Sequence, residues 1–131
     1  MLKPGILGRE QMIVSHSNSA VSMGSGALEV FSTPAMVALM ESAANNSIKK
    51  LLEQGKCTVG VSINVKHLSP TPIGLVVYCE SELLEVDGRR LVFKITAYDC
   101  AGVIGTATHE RMIIDSKPFM EKAKSKNNCA V

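Results

Sequence analysis

The amino-acid sequence predicts an α+β domain in which an antiparallel β-sheet wraps around one long helix. Apolar residues recur at helical spacing between positions 34 and 52, which indicates a single helix. Positions 57–115 are instead rich in Val and Ile and contain turn sequences, a pattern typical of strands joined by hairpins. The chain has 131 residues, 46% of them apolar, so it fits one domain, 1–131, with one aliphatic core.

The N-terminal part predicts less regular structure. Residues 9–16 favour a first strand, and a loop rich in Ser and Gly is expected over 15–26. Residues 27–32 predict a short strand-like or irregular entry into the helix.

The helix begins at a strong start signal. Ser32 and Thr33 are both good N-cap residues, and Pro34 suits the first helical turn. Gly55 is a typical stop signal, so a helix of about twenty residues is expected.

Four antiparallel strands in a meander are expected after the helix. Residues 57–69 form the first, 70–74 are a break that contains Pro, and 75–115 form three more. The sequences Asp87-Gly88 and Cys100–Gly102 mark the two hairpin turns. One helix covers one face of such a sheet, and the open sheet edges are protected when a second copy pairs with them. A homodimer is therefore expected.

Composition argues against several classes of function. The formal net charge of +2 is too small to indicate nucleic-acid binding, and the Lys-rich tail, 122–130, is expected to be frayed and solvated. No apolar run approaches the roughly 18 residues that cross a bilayer, so no membrane partner is expected. The N-terminus lacks the apolar segment of a signal peptide, which favours a cytoplasmic location. The four Cys form no CxxC pair, so free, mostly buried thiols and no metal site are expected.

Glu41 is the first candidate site residue, because it lies within the apolar stripe of the helix, near its margin. Val37, Ala44 and Ile48 share its strip of the helix surface. A carboxylate there either escapes to solvent, makes a structural hydrogen bond, or serves as a half-buried catalytic group.

Thr33 and His67 are the other two candidates. Thr33 is either a helix cap or a hydroxyl beside the positive end of the helix dipole, where an oxyanion is stabilised. Thr33 and Glu41 are eight residues apart, about 12 Å along one helix, so they cannot touch directly. His67 precedes the Pro-rich break and is either an ordinary strand-end residue or an acid/base group. His16 and His109 look less distinctive.

The chain resembles the hotdog-fold thioesterases, and within them the fluoroacetyl-CoA thioesterase-like family. The resemblance covers about residues 33–115 and depends on the sequences STPAMVALMESAA, GVSINVKHLSPTPIG and, more loosely, GTATHERMIID. That family carries a Thr, a Glu on the central helix and a His after the next strand. The spacing of Thr33, Glu41 and His67 matches this pattern.

The resemblance implies a hotdog fold and hydrolysis of a small acyl-CoA thioester. Glu41 would be base or nucleophile, His67 the acid/base, and Thr33 a positioning group or nucleophile. Gly60 matches the glycine whose backbone N–H contacts the thioester carbonyl, and Arg111 resembles a contact to a coenzyme A phosphate. No cofactor is implied, because coenzyme A is part of the substrate.

Other functions remain open from the sequence. The specialised fluoroacetyl enzyme gates its pocket with Phe residues, and residues 22–30 contain none, so fluoroacyl selectivity is not implied. A non-catalytic acyl-CoA-binding module and a dehydratase acting on 3-hydroxyacyl thioesters use the same fold.

Overall fold

A computed structural model describes residues 1–129 as one antiparallel sheet packed against a central helix. The described residues contain three α-helices and five strands, with four of the strands consecutive after the second helix. In chain order they are β1 (Leu7–Ile13), α1 (Ala20–Met23), α2 (Thr33–Ile48), β2 (Lys56–His67), β3 (Val76–Asp87), β4 (Arg90–Asp99), β5 (Gly102–Asp115) and α3 (Ser116–Lys124). Short 3-10 turns occupy His16–Asn18, Lys49–Leu51 and Ser125–Asn128.

The strand order in the sheet is β1-β3-β4-β5-β2. The two predicted hairpins are present, and they join β3, β4 and β5 as a meander. The prediction of a four-strand meander is wrong, because β2 pairs with β5 at the sheet edge and not with β3. The connection from residue 68 to 75 contains two Pro and is too long for a tight hairpin, so it carries the chain across to the other side of the sheet.

Helix α2 supplies one half of the core. Its buried face consists of small and flexible apolar side chains, Ala35, Met36, Leu39, Met40, Ala43, Ala44 and Ile48. The facing sheet contributes fully buried residues such as Leu91, Phe93 and Ile95. The α-helix has 16 residues and not about twenty. Leu51, which continues the apolar pattern, is 44% exposed, and the chain tightens there into the 3-10 turn Lys49–Leu51.

Both ends of the chain differ from expectation. The predicted loop over 15–26 contains a 3-10 turn and the four-residue α1. The tail predicted to fray from residue 122 is helical through Asn128, while residue 130 lies outside the described part of the chain. Lys, Glu and Ala are good helix formers, and two Lys in the last turn of α3 complement the helix dipole.

The four thiols are free, but only that of Cys79 is buried; those of Cys100 and Cys129 are exposed. The expectation of mostly buried thiols is therefore wrong, because the hairpin turn leaves Cys100 in solvent and Cys57, at the start of the edge strand β2, is only half-buried. Burial raises the pKa of the Cys79 thiol to about 12. Within residues 1–129, no helix has the length and apolar character needed to span a bilayer.

Candidate active site

Thr33 is the first residue of α2, and its hydroxyl is not used as the helix cap. Ser32 is the N-cap, and its Oγ accepts a hydrogen bond from the backbone N–H of Ala35 at 3.2 Å. The Thr33 hydroxyl is therefore available for another partner, and its Oγ1 lies 2.8 Å from Nδ1 of His67. The structure thus pairs two of the predicted site residues across 34 positions of sequence.

His67 ends strand β2 beside the start of α2. The edge of the Phe31 ring faces it, with ring centroids 6.3 Å apart. Burial lowers the pKa of His67, and a hydrogen bond to the Ser69 backbone opposes part of this effect. The imidazole is therefore mainly neutral near pH 7, the form that can take a proton from a hydroxyl.

The Thr33–His67 pair lies in the wall of a cleft of about 300 Å³. One side of this cleft comes from the segment before α2, including Ala20, Ser25 and Val30. The other side comes from the segment after β2, Leu68 to Pro70. The hydroxyl and the imidazole thus face a space that is large enough for a small acyl group.

Glu41 lies two turns further along α2 and belongs to a different cluster. Its Oε2 accepts a hydrogen bond from Nη1 of Arg111 at 3.2 Å and lies 3.9 Å from Nε2 of His109. The carboxylate side chain is 41% exposed. Glu41 can therefore lie at the margin of the apolar stripe because a cation from β5 reaches it there, and it stays accessible from outside.

Arg111 is 6% exposed, and all five of its N–H donors have partners inside the protein. Nε donates to Thr58 Oγ1, Nη2 donates to the Thr58 carbonyl and to Asn45, and Nη1 donates to Glu41 and His109. The guanidinium is therefore engaged on every side by the protein, and the contact of Arg111 with a coenzyme A phosphate stays a prediction.

Gly60 lies opposite Arg111 in the β2–β5 pair, where a bulge shifts the register before Ser62. A Cβ added at Gly60 would overlap Oε2 of Glu41 and would lie 3.4 Å from Cε1 of His109. Only glycine leaves room for the carboxylate in this position. The residue was predicted as a carbonyl contact, and the structure adds this steric role.

His109 was missed as a site residue by the sequence analysis. It is 1% exposed, with Nδ1 2.8 Å from the Ser62 carbonyl and Nε2 3.1 Å from Nη1 of Arg111. A signal was present, because His109 and Arg111 occupy alternate positions of one strand and therefore point to the same, buried face. Two such polar residues facing a core are unusual unless they are paired.

Within one chain, the predicted residues thus form two groups. Thr33 and His67 are hydrogen-bonded at the start of α2, and Glu41 is held by Arg111 two turns away. Eight residues of helix separate Thr33 from Glu41, which is about 12 Å of helix rise. The structure does not pair Glu41 with either of the other two.

A sequence model of the fluoroacetyl-CoA-specific thioesterase family matches residues 14–117. The chain belongs to this family. A fluoroacetyl-CoA thioesterase of Streptantibioticus cattleyicolor is 42% identical over 98 residues, which are 75% of this chain and 70% of that protein.

Solved structures agree with the sequence match. A mutant of the fluoroacetyl-CoA thioesterase in complex with acetyl-CoA is 32% identical, with a TM-score of 0.91 over 96% of this chain and 99% of that one. A hot-dog-like protein of Thermanaerovibrio acidaminovorans is 24% identical and shares the fold, with a TM-score of 0.88 over 98% of this chain and 96% of that one. The predictions of this family, of the hotdog fold and of an acyl-CoA thioesterase are confirmed. The roles of individual residues stay predictions.

Proposed function

We propose that this protein hydrolyses a short-chain acyl-CoA thioester at the cleft that contains Thr33 and His67. The observation that carries the proposal is the 2.8 Å pairing of a threonine hydroxyl with a half-buried imidazole at a helix N-terminus. Relatives named for fluoroacetyl-CoA and solved with acetyl-CoA favour a small acyl group. Fluoroacyl selectivity is not part of the proposal, because residues 22–30 contain no Phe.

Each side chain has a chemical task in this reaction. In one route His67 accepts the proton of the Thr33 hydroxyl as its oxygen attacks the thioester carbonyl, and water then hydrolyses the acyl-threonine. In the other route His67 accepts the proton of a water that the Thr33 hydroxyl orients toward the carbonyl. The positive end of the α2 dipole favours the negative oxygen that develops, together with the backbone N–H of Gly60 from a second copy of the chain, which lies beside that copy's Glu41. Glu41 acts as base toward water or as the nucleophile. Coenzyme A leaves as a thiolate, a good leaving group, so the mechanism needs no metal or other cofactor.

The site is completed across a homodimer in this proposal. Thr33 and Glu41 of one chain lie too far apart to act on one carbonyl, so the carboxylate comes from a second copy. Strand β2 supports this arrangement, because it is an edge strand whose outer side lacks a partner among the described residues. Val61 on β2 and Leu68 just after it are 54% and 62% exposed, and pairing along this edge would cover them.

The first test is thiol release from a series of acyl-CoAs, from short to long acyl chains. Glu41→Gln removes the negative charge and keeps the shape, and its matched control is Glu53→Gln, whose side chain is 82% exposed. We expect hydrolysis of the shorter acyl-CoAs, strongly reduced but still measurable in Glu41→Gln and kept in the control. Unchanged hydrolysis by Glu41→Gln would remove Glu41 from the chemistry. Absence of hydrolysis, with acyl-CoA still bound, would overturn the proposal.

The dimeric site is tested by mixing two strongly impaired variants, Thr33→Ala and Glu41→Gln. If the site combines Thr33 of one chain with Glu41 of the other, a mixed dimer contains one intact site. Random reassortment of subunits should then restore roughly a quarter of the wild-type activity. A site contained within one chain would give no recovery, provided that sedimentation shows the mixed dimers have formed.

A further inference from the structure

We propose that His109 is a positioning residue for Glu41: its buried imidazole accepts a hydrogen bond from Arg111 and so directs the guanidinium onto the carboxylate. The inference rests on the proposed function, in which Glu41 takes part in the reaction. His109 itself cannot reach substrate, because it is 1% exposed and both ring nitrogens have protein partners.

The hydrogen bonds of His109 define its tautomer. Nδ1 lies 2.8 Å from the Ser62 carbonyl, which can only accept, so Nδ1 carries the proton. Nε2 lies 3.1 Å from Nη1 of Arg111, which can only donate, so Nε2 carries the lone pair. The bulge between Gly60 and Ser62 disrupts the strand ladder next to this carbonyl.

The charges around the ring favour the same neutral form. Burial is the largest effect that lowers the pKa of His109, and the positive charge of Arg111 lowers it further. The Ser62 hydrogen bond and the Glu41 carboxylate act in the opposite direction and are outweighed. The ring of Phe93 packs near the imidazole, with centroids 6.3 Å apart, and excludes water from that side.

The hydrogen-bond acceptor on His109 matters because each N–H of Arg111 already has its own partner. Arg111 therefore cannot replace a lost hydrogen bond to His109 without moving. One Nη1 hydrogen goes to His109 and the other to Glu41, while Nε and Nη2 are bound by Thr58 and Asn45. A guanidinium is planar and moves as one body. If the acceptor on His109 is lost, the group must turn to pair the freed donor, and that turn moves the donor that holds Glu41.

The test compares two substitutions of His109. In His109→Gln the side-chain oxygen can reach the position of Nε2 and accept from Arg111, while His109→Leu keeps bulk without an acceptor. We expect His109→Gln to retain kcat within about five-fold and His109→Leu to lose about 100-fold in kcat, with KM changed little. In the Glu41→Gln background, His109→Leu should add almost no further loss.

Each outcome decides between explanations. Equal loss in both variants, or wild-type kcat in His109→Leu, would overturn the role of the acceptor. Full activity of Glu41→Gln would instead refute the proposed function on which the inference rests. If His109→Leu does not fold, ¹⁵N NMR of the wild-type protein still tests the inference. The expected signature is protonated Nδ1 and unprotonated Nε2, and the opposite tautomer or an imidazolium at pH 7 would refute it.

Discussion

Gly60→Ala is the substitution that most sharply tests how the carboxylate is held. A Cβ at this position would overlap Oε2 of Glu41, while its distances to the next atoms, Cε1 of His109 and Nη1 of Arg111, are 3.4 and 3.5 Å. Gly60 does not have the positive φ that L side chains avoid, so the backbone accepts alanine. The added methyl therefore acts almost entirely by pushing the Glu41 carboxylate away.

The magnitude follows from the size of this displacement. The carboxylate has to withdraw by about 1 Å, and a misplacement of that size can lower the rate about 100-fold. Alanine keeps the backbone N–H of residue 60, so a contact from that N–H to the carbonyl is retained. Stability should change by less than about 2 kcal/mol, since the weakened ion pair is partly offset by the lower entropy of the unfolded alanine chain.

The assay is a double-mutant cycle with Glu41→Gln, read as kcat/KM for the best acyl-CoA, with thermal melting of each variant as the control for folding. Gly60→Ala should lower the activity of the wild type about 100-fold and that of Glu41→Gln hardly at all. Activity within three-fold of wild type would refute the steric role of Gly60. An equal loss in both backgrounds would show that the methyl acts elsewhere than on Glu41.

Two further predictions concern Arg111 and the two histidines of the candidate site. Arg111→Lys should lose about 10- to 100-fold in kcat with the fold kept, because a flexible ammonium cannot bind Thr58, His109 and Glu41 together; wild-type kinetics would contradict this. The free energy of unfolding should reach its full value above pH 6.5. It should decline as the pH falls from 6.5 through the lowered folded-state pKa values of His67 and His109, because in that range the unfolded chain binds more protons than the folded chain. Each histidine contributes at most about 1.4 kcal/mol per pH unit, so urea denaturation at several pH values should show a shallower decline for His109→Gln. Stability that rises as the pH falls from 6.5 to 5 would refute this account.

The parts of the fold that local sequence determines were predictable. The Ser32 cap and Pro34 define the start of α2, and short turns with glycine define the two hairpins of β3, β4 and β5. These features depend on neighbouring residues, so a sequence pattern contains them. The position of β2 was not predictable in the same way. Its partner β5 is joined to it by no turn, and only the packing of the whole sheet decides that pairing.

The same distinction applies to the candidate site. Thr33, Glu41 and His67 were found as residue types at suggestive positions, with the help of a family resemblance. The pairing of Thr33 with His67 and of Glu41 with Arg111 depends on contacts across 34 and 70 residues. The importance of His109 depends on the β2–β5 register and its bulge, which no local pattern reveals.

The cluster around Arg111 is not explained by folding alone. Removing a guanidinium and an imidazole from water carries a large desolvation penalty, and apolar residues of similar volume would stabilise this interface between helix and sheet as well or better. The buried charge of Arg111 is therefore explained by the groups that it holds in place and not by a net gain in stability. Here the guanidinium holds a carboxylate that is still 41% exposed, and it does so with every donor occupied. A rigid cation behind an accessible carboxylate is the arrangement expected of a preorganised catalytic group.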